Sequence, residues 1–188
     1  MKKSFLLICI FTAFCVSGVS AQSDPEKAWQ NYMTPGEVHK MMALSDGEWN
    51  EEVTMWMDPS APPTKAIATA KNEMILGGRY QLTKSKGTMM GMPFEGMSIV
   101  GYDNAKKIFT TTWVDNFGTG TMTLEGTWDS QTKSITSKGK AVDPGTGKDM
   151  LIREVMKFID NDTQEMTMYE TRDGKEIKTM EIKMTRKK

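Results

Sequence analysis

Four methionines close together give this sequence its clearest candidate for chemistry. Met89, Met90 and Met92 are nearly adjacent, and Met97 follows a few residues later. Thioether sulfur is a soft ligand that can hold Cu(I), but no histidine accompanies this run. Methionine is also a flexible apolar side chain that adapts to varied ligands. The sequence therefore favours an adaptable binding surface, with a copper site and plain packing as the alternatives, and we expect no metal or other cofactor.

Nucleophilic catalysis has few possible residues here. His39 is the only histidine, and the two cysteines, Cys9 and Cys15, lie in an N-terminal segment that we expect to be removed. A mature chain without cysteine has no thiol nucleophile, and a serine triad would have one possible base. We expect His39 to lie at the surface or in a helix cap. The chain is therefore more typical of a binding protein than of an enzyme.

Three glutamates could take part in acid–base chemistry. Alternation along the strands predicted below turns Glu51, Glu154 and Glu170 inward, where burial raises a carboxyl pKa unless a cation is near. Arg79 or Arg186 could supply that cation. The simplest interpretation is a salt-bridged polar cluster at one end of the fold.

Two functional interpretations of these carboxylates and cations remain open. Arg79, Arg186 and Tyr80 could together hold the carboxylate of a ligand head group. Alternatively, a glutamate with a raised pKa, within hydrogen-bond reach of Tyr80 or Tyr102, could act as the acid–base catalyst of an isomerase or cyclase.

The charge balance limits the possible partners. The chain of 188 residues has 24 basic and 24 acidic residues and no basic block. Binding to nucleic acid needs clustered Lys and Arg against the phosphates, so we expect no nucleic-acid partner.

Residues 1–21 have the pattern of a secretory signal peptide. Lys2 and Lys3 precede a short apolar run, and Val19 and Ala21 precede the expected cut. The apolar run is shorter than the roughly 20 residues that a membrane span needs. We therefore expect a periplasmic or extracellular protein, with no disulfide and no membrane span after removal of the signal peptide.

The remaining chain divides into a leader and one domain. Residues 22–33 are polar without clear periodicity, which predicts a flexible leader. The segment 34–37 is typical of a helix start, with Thr34 as the cap, and predicts a short helix over about 34–45. We expect residues 34–188 to form a single domain.

Beyond this helix, from Gly47 onward, runs of alternating apolar and polar residues are separated by nine clusters of turn residues. Nine turns predict about ten strands with no helix between them. Closing such a sheet into a barrel removes its exposed edges. The sequence therefore favours an all-β, up-and-down antiparallel β-barrel over a sandwich.

The alternation also assigns the side chains that face the interior. The predicted inward set is Trp49, Val53, Met55, Met57, Ala66, Ala68, Ala70, Met97, Ile99, Phe109, Thr111, Trp113, Met122, Leu124, Trp128, Ile152, Met156, Phe158, Met166, Met168, Met180, Ile182 and Met184. Because small alanines lie among methionines and rings, we expect this interior to leave room for a ligand. The residues that we expect to bind it are Arg79, Tyr80, Met55, Met97, Trp113, Met122, Met156 and Phe158.

Gly47, Trp49 and Arg186 give the chain a resemblance to the calycin superfamily of lipocalins, fatty-acid-binding proteins and nitrobindins. The resemblance implies that Arg186 lies across the Trp49 ring, in a cation–π contact, and closes one end of the barrel. The nitrobindins hold haem through a histidine late in the chain, where this sequence has none. His39 is a weak substitute, so the resemblance does not imply haem here.

Several short blocks together resemble a family of mostly bacterial proteins known as domain of unknown function 1579. The blocks are residues 47–49, 72–80, 92–96, 101–104, 112–116 and 118–120, and the resemblance extends over about 35–188. This family has no assigned activity, so the resemblance supports the barrel and leaves the function open.

We therefore expect an exported, lipocalin-like β-barrel that binds a small apolar or amphipathic molecule in a cavity lined by methionines and aromatic rings. One alternative is the acid–base enzyme. The other is an envelope interaction module with a solid barrel and an exposed apolar patch that includes Trp56.

Overall fold

Ten strands and two short helices make up the part of the chain that the computed structural model describes, residues 24–58 and 60–188. The helices are α1 (Pro25–Met33) and α2 (Glu37–Ala43). The strands are β1 (Gly47–Met55), β2 (Thr64–Ile75), β3 (Tyr80–Met89), β4 (Met92–Asp103), β5 (Ile108–Asp115), β6 (Met122–Asp129), β7 (Ser134–Val142), β8 (Asp149–Phe158), β9 (Thr163–Arg172) and β10 (Lys175–Arg186). The predicted signal peptide lies outside the described residues. Neither helix has the length and apolar character needed to cross a bilayer.

The strands form a closed antiparallel barrel in which each strand pairs with its neighbours in the sequence. β1 pairs with β10 to complete the ring, with Trp49 opposite Arg186 and Met55 opposite Met180. Closure gives each of these ten strands a hydrogen-bonded partner on both sides, so the barrel of the described residues leaves no sheet edge for pairing with another chain. The predicted up-and-down barrel of ten strands is confirmed.

Helix α2 lies at one end of the barrel, where the sequence predicts a short helix. Its N-cap is Gly36 rather than Thr34, and His39 Nδ1 accepts a hydrogen bond from the Gly36 backbone N–H at 3.1 Å. His39 therefore takes part in the cap, but it is buried rather than at the surface. On the inner side of the same helix, Met42 packs against Phe109 in the barrel.

Helix α1 occupies most of the segment that the sequence analysis assigns to a leader. The Asp24 side chain caps its first turn, and none of its residues is buried. Two side chains of the barrel hold the C-terminal end of this helix. Asn104 Nδ2 donates to the Thr34 carbonyl at 2.8 Å, and Arg79 Nη2 donates to the Met33 carbonyl at 2.7 Å.

Most of the predicted inward set faces the interior, and Trp49, Phe109 and Leu124 are almost completely buried. Met57 is an exception, and its predicted inward position is wrong. Strand β1 ends at Met55, so Met57 lies beyond the barrel wall and is 63% exposed.

Met97 and Ile99 are the second correction, because both point outward from β4 and are 40% and 43% exposed. The cause is the tight turn at residues 90–91, where both residues have positive φ. This two-residue turn pairs Met89 with Met92 and fixes the register of β4 one residue away from the predicted one. A shift of one residue exchanges the inner and outer faces of a strand.

Candidate functional site

The barrel encloses a cavity of about 290 Å³. Ten of the chain's 18 methionines line it, together with six aromatic rings. Small-molecule sites in proteins are mostly apolar cavities of roughly 300–1,000 Å³, so this cavity suits a ligand at the small end of that range. Its methionine side chains can adjust to the shape of what they contact.

One end of the cavity is closed by an arginine over a tryptophan. The Arg186 guanidinium lies 4.4 Å from the centroid of the Trp49 ring, whose Nε1 donates to the Ser45 carbonyl at 2.9 Å. Arg186 Nη2 also donates to the Leu44 carbonyl at 2.6 Å, which ties the last strand to the turn after α2. Gly47, the first residue of β1, has φ +122°, and a Cβ there would lie 3.0 Å from Arg186 Nη1. The glycine thus leaves space for the guanidinium.

Aromatic rings line the opposite end of the cavity. Phe94 stacks with Trp113 at 6.3 Å between centroids and meets Phe117 edge-on at 5.4 Å. Trp113 Nε1 donates to Asp115 Oδ2 at 2.7 Å, which fixes the indole. Gly96 on β4 allows this position, because a Cβ there would overlap the Trp113 ring.

Two glutamates face this largely apolar cavity. Glu51 on β1 is 6% exposed, and burial raises its pKa to about 6, although the neighbouring Ser85 hydroxyl offsets part of that rise. Glu154 on β8 is half-buried, and burial raises its pKa to about 7. Both glutamates line the cavity, and its described lining contains no Lys, Arg or His. The inward direction predicted for these two carboxyls is therefore correct.

Amide side chains add polar groups near α2. Gln81 Nε2 donates to the Met42 carbonyl at 2.7 Å, and Gln164 Nε2 donates to the Ser45 hydroxyl at 2.8 Å. Asn72 Nδ2 donates to the Ser45 carbonyl at 3.1 Å, while its Oδ1 is buried and has no hydrogen-bond partner among the described residues. All three amides line the cavity. Their inward positions were not predicted, although the alternation that turns Ala70 and Met166 inward also turns Asn72 and Gln164 inward.

The structure divides the predicted ligand-binding residues into two groups. The cavity is lined by Met55, Trp113, Met122, Met156 and Phe158. Its lining does not include Arg79, Tyr80 or Met97.

The guanidinium of Arg79 is used outside the cavity. Besides Met33, it donates to the Leu76 carbonyl at 3.1 Å. Tyr80 is 40% exposed and lies over Gly101, where a Cβ would come within 2.9 Å of its ring. The geometry therefore gives no support to a carboxylate anchor built from Arg79 and Tyr80.

The remaining chemical candidates do not converge on one site. Met89 and Met90 line the cavity, whereas Met92 is half exposed and Met97 points away from the barrel interior. Among the described residues, no group of His, Cys, Asp and Glu could hold a metal ion. Glu170 lies outside the cavity lining and pairs with Arg172.

Comparisons with known proteins address the fold. A family model described as "Protein of unknown function (DUF1579)" matches residues 34–186. Among solved structures, the chain is similar to the crystal structure of Rv2717c from M. tuberculosis. The TM-score is 0.62 at 12% identity, with 82% of this chain and 100% of that chain covered. No curated protein matches the sequence. At this identity the structural likeness speaks for the fold alone.

Proposed function

Since the chain belongs to the DUF1579 family of proteins of unknown function, we propose a function from its own cavity: it binds a small, largely apolar molecule inside the barrel. We further propose that residues 1–21 direct its export and that it works in the periplasm or outside the cell. The observation that carries the binding proposal is the hollow interior of about 290 Å³.

The size of the cavity supports a role beyond stability. Dry cavities engineered into apolar cores cost roughly 24 cal/mol per Å³, so leaving 290 Å³ of this interior empty would cost about 7 kcal/mol. Whole domains are stable by only about 5–15 kcal/mol. A barrel optimised for stability alone would fill this space with larger side chains. An apolar ligand that displaces water from the methionines and rings gains affinity from the buried surface.

The two alternatives receive less support. A solid barrel with an exposed apolar patch does not fit the hollow interior, and Trp56 is half-buried with Lys178 Nζ 4.2 Å from its ring centroid. Acid–base catalysis is favoured by the two glutamates with raised pKa values, but neither Tyr80 nor Tyr102 lines the cavity beside them. Binding without catalysis therefore fits the site best.

A cavity-filling substitution tests the proposal. Thr111 on β5 is only half-buried and lines the cavity, so Thr111→Phe would place a ring in the free volume. Thr112→Phe introduces the same ring on the opposite face of the strand and is the matched control. We expect the wild type and Thr112→Phe to bind a neutral solvatochromic dye such as Nile red with similar affinity. Thr111→Phe should bind it at least about tenfold more weakly, a loss of about 1.4 kcal/mol.

Equal dye binding by all three proteins would place the dye outside the barrel and contradict the proposal. Circular dichroism and thermal unfolding of each variant would verify that the barrel is folded. Export is tested by expressing the full chain in a bacterial host and measuring the mass of the purified protein. Removal of residues 1–21 lowers that mass by a defined amount.

A further inference from the structure

Among the described residues, two carboxyl groups of the cavity lack a neighbouring cation, and one buried acceptor lacks a hydrogen-bond donor. Glu51 is more than nine-tenths buried, and its strand neighbours are Ala68 on β2 and Met184 on β10. No ion pair among the described residues includes Glu51 or Glu154. The buried Oδ1 of Asn72 in the same lining receives no hydrogen bond from the part of the chain that the structure describes.

Such an arrangement is unfavourable for the protein alone. Burying a carboxylate without a cation is costly, and a buried acceptor without a donor costs free energy as well. Methionine, which fills ten other lining positions, would occupy similar space without this penalty. The acceptors are therefore best explained by something that enters the cavity carrying positive charge and N–H donors.

We propose that the ligand is an organic cation, a protonated amine on a small apolar or aromatic body, which pairs with Glu51 and Glu154. This inference rests on the proposed binding function and names its ligand class. An ammonium group carries three donors and no acceptor, so it matches a cavity rich in acceptors. The rings of Phe94 and Trp113, which line the same cavity, supply apolar surface for the body of the ligand.

The same geometry disfavours anionic ligands. Glu51, Glu154 and Asp115 are the acidic residues of the lining, and a ligand carboxylate would meet them without a compensating cation. The proposed ligand therefore carries a charge opposite to that of the carboxylate head group expected from Arg79 and Tyr80.

The charge around each glutamate follows from the strands packed beside it. Next to Glu51, β2, β3 and β10 present Ala68, Ser85 and Met184. Glu154 on β8 has Ser137 of β7 and Met168 of β9 as its strand partners. None of these neighbours titrates. Ionisation of the two glutamates, with Asp115 as the third acid of the lining, therefore sets how amine binding depends on pH.

Three probes of similar shape test the inference by calorimetric titration at about pH 8, where both glutamates are ionised. They are 2-phenylethylamine, 2-phenylethanol and phenylacetate. We expect the amine to bind about tenfold or more tightly than the alcohol, as one charge-assisted contact implies, and phenylacetate to bind most weakly. Lowering the pH to about 5 should remove most of the preference for the amine.

Variants identify the groups responsible. Glu51→Gln combined with Glu154→Gln should reduce amine affinity about tenfold or more while leaving the alcohol within about twofold. Glu52→Gln changes an exposed residue of the same strand and should alter neither. The double variant removes unpaired buried charge, so we expect it to fold.

The outcomes separate the two proposals. Equal affinity for amine and alcohol, or an amine preference that persists in the double variant, would overturn the cationic ligand and leave the binding function standing. Absence of binding by all three probes and by the neutral dye would overturn both.

Discussion

The two cavity glutamates should make the stability of the unliganded protein depend on pH. Burial raises the pKa of Glu51 from 4.5 to about 6 and that of Glu154 from 4.5 to about 7. Between about pH 4.5 and pH 7 the folded state binds more protons than the unfolded state, so the free energy of unfolding falls as pH rises. The stabilisation is fully present below about pH 4.5 and is lost as pH passes through about 6 and 7.

The size of the effect follows from the shifts. At 1.36 kcal/mol per pKa unit, Glu51 contributes about 2 kcal/mol and Glu154 about 3 kcal/mol to the loss between low and neutral pH. This is a substantial part of the stability of a typical domain. Replacing both residues with glutamine should remove this dependence and stabilise the protein at neutral pH.

Other titrating groups must be separated from this effect. Burial and the charge of Arg79 lower the pKa of His39 below 6.5, so His39 adds stability as pH rises, with the opposite sign. Hydrogen bonds to backbone amides lower the pKa of Asp103, which therefore titrates at more acidic pH. Comparing the wild type with the double variant at each pH cancels both contributions, provided that they are unchanged.

Urea unfolding, monitored by tryptophan fluorescence, measures how the free energy of unfolding depends on pH. The protein is first denatured and refolded to remove any bound molecule. Between about pH 5 and pH 8, the wild type should lose about 3–5 kcal/mol relative to the Glu51→Gln, Glu154→Gln variant. The Glu52→Gln control should follow the wild type, because Glu52 is exposed. If the difference in free energy of unfolding between the wild type and the double variant does not change with pH, the conclusion that Glu51 and Glu154 are buried without a cation is refuted.

Two further predictions concern the ends of the barrel. Arg186→Ala removes the guanidinium 4.4 Å from the Trp49 ring and its hydrogen bonds to the turn after α2. The free energy of unfolding should therefore fall by about 2–4 kcal/mol in the same urea assay. A change below about 0.5 kcal/mol would show that this contact does not close the barrel. Gly96→Ala forces the Trp113 ring to move and should cost about 1–3 kcal/mol with a shift in tryptophan emission. Gly120→Ala, which meets no atom within 4 Å, is the control and should change neither quantity.

The sequence predicted the architecture well because the barrel repeats one simple pattern. Alternation defines strands, turn residues separate them, and the cost of free edges favours closure. The inward positions of Glu51 and Glu154 followed from the same alternation. Since the alternation between inner and outer faces depends on local spacing alone, it holds for polar residues as well as for apolar ones.

The alternation assigned the wrong face to the residues of β4, where a turn sets the register of the strand. The tight turn at residues 90–91 pairs Met89 with Met92, and this exchanges the faces of β4. Sequence alone does not show how many residues a glycine-containing turn uses, so Met97 was placed inward although it points outward. Helix α1 was also not predicted: Trp29, Tyr32 and Met33 share one face of it, but this stripe is short, and none of the helix residues is buried.

The polar residues of the site were harder to predict because they depend on tertiary contacts. Arg79 has the reach to enter a cavity, but its guanidinium finds backbone carbonyls at Leu76 and Met33 instead. Gln81 and Gln164 face inward through the alternation of their strands, but the groups that they contact near α2 depend on the tertiary fold. A sequence reveals that such donors and acceptors exist, whereas the fold decides which partner each one reaches.

Native mass spectrometry of the protein purified from a bacterial host tests the binding proposal most directly. The wild type and the Thr112→Phe control should carry a small organic molecule that is released on denaturation, and Thr111→Phe should carry none. An amine released in this way would also support the pairing with Glu51 and Glu154. If each of the three proteins has only the mass of its own polypeptide, and none binds the neutral dye, the proposal that the barrel holds a ligand is contradicted.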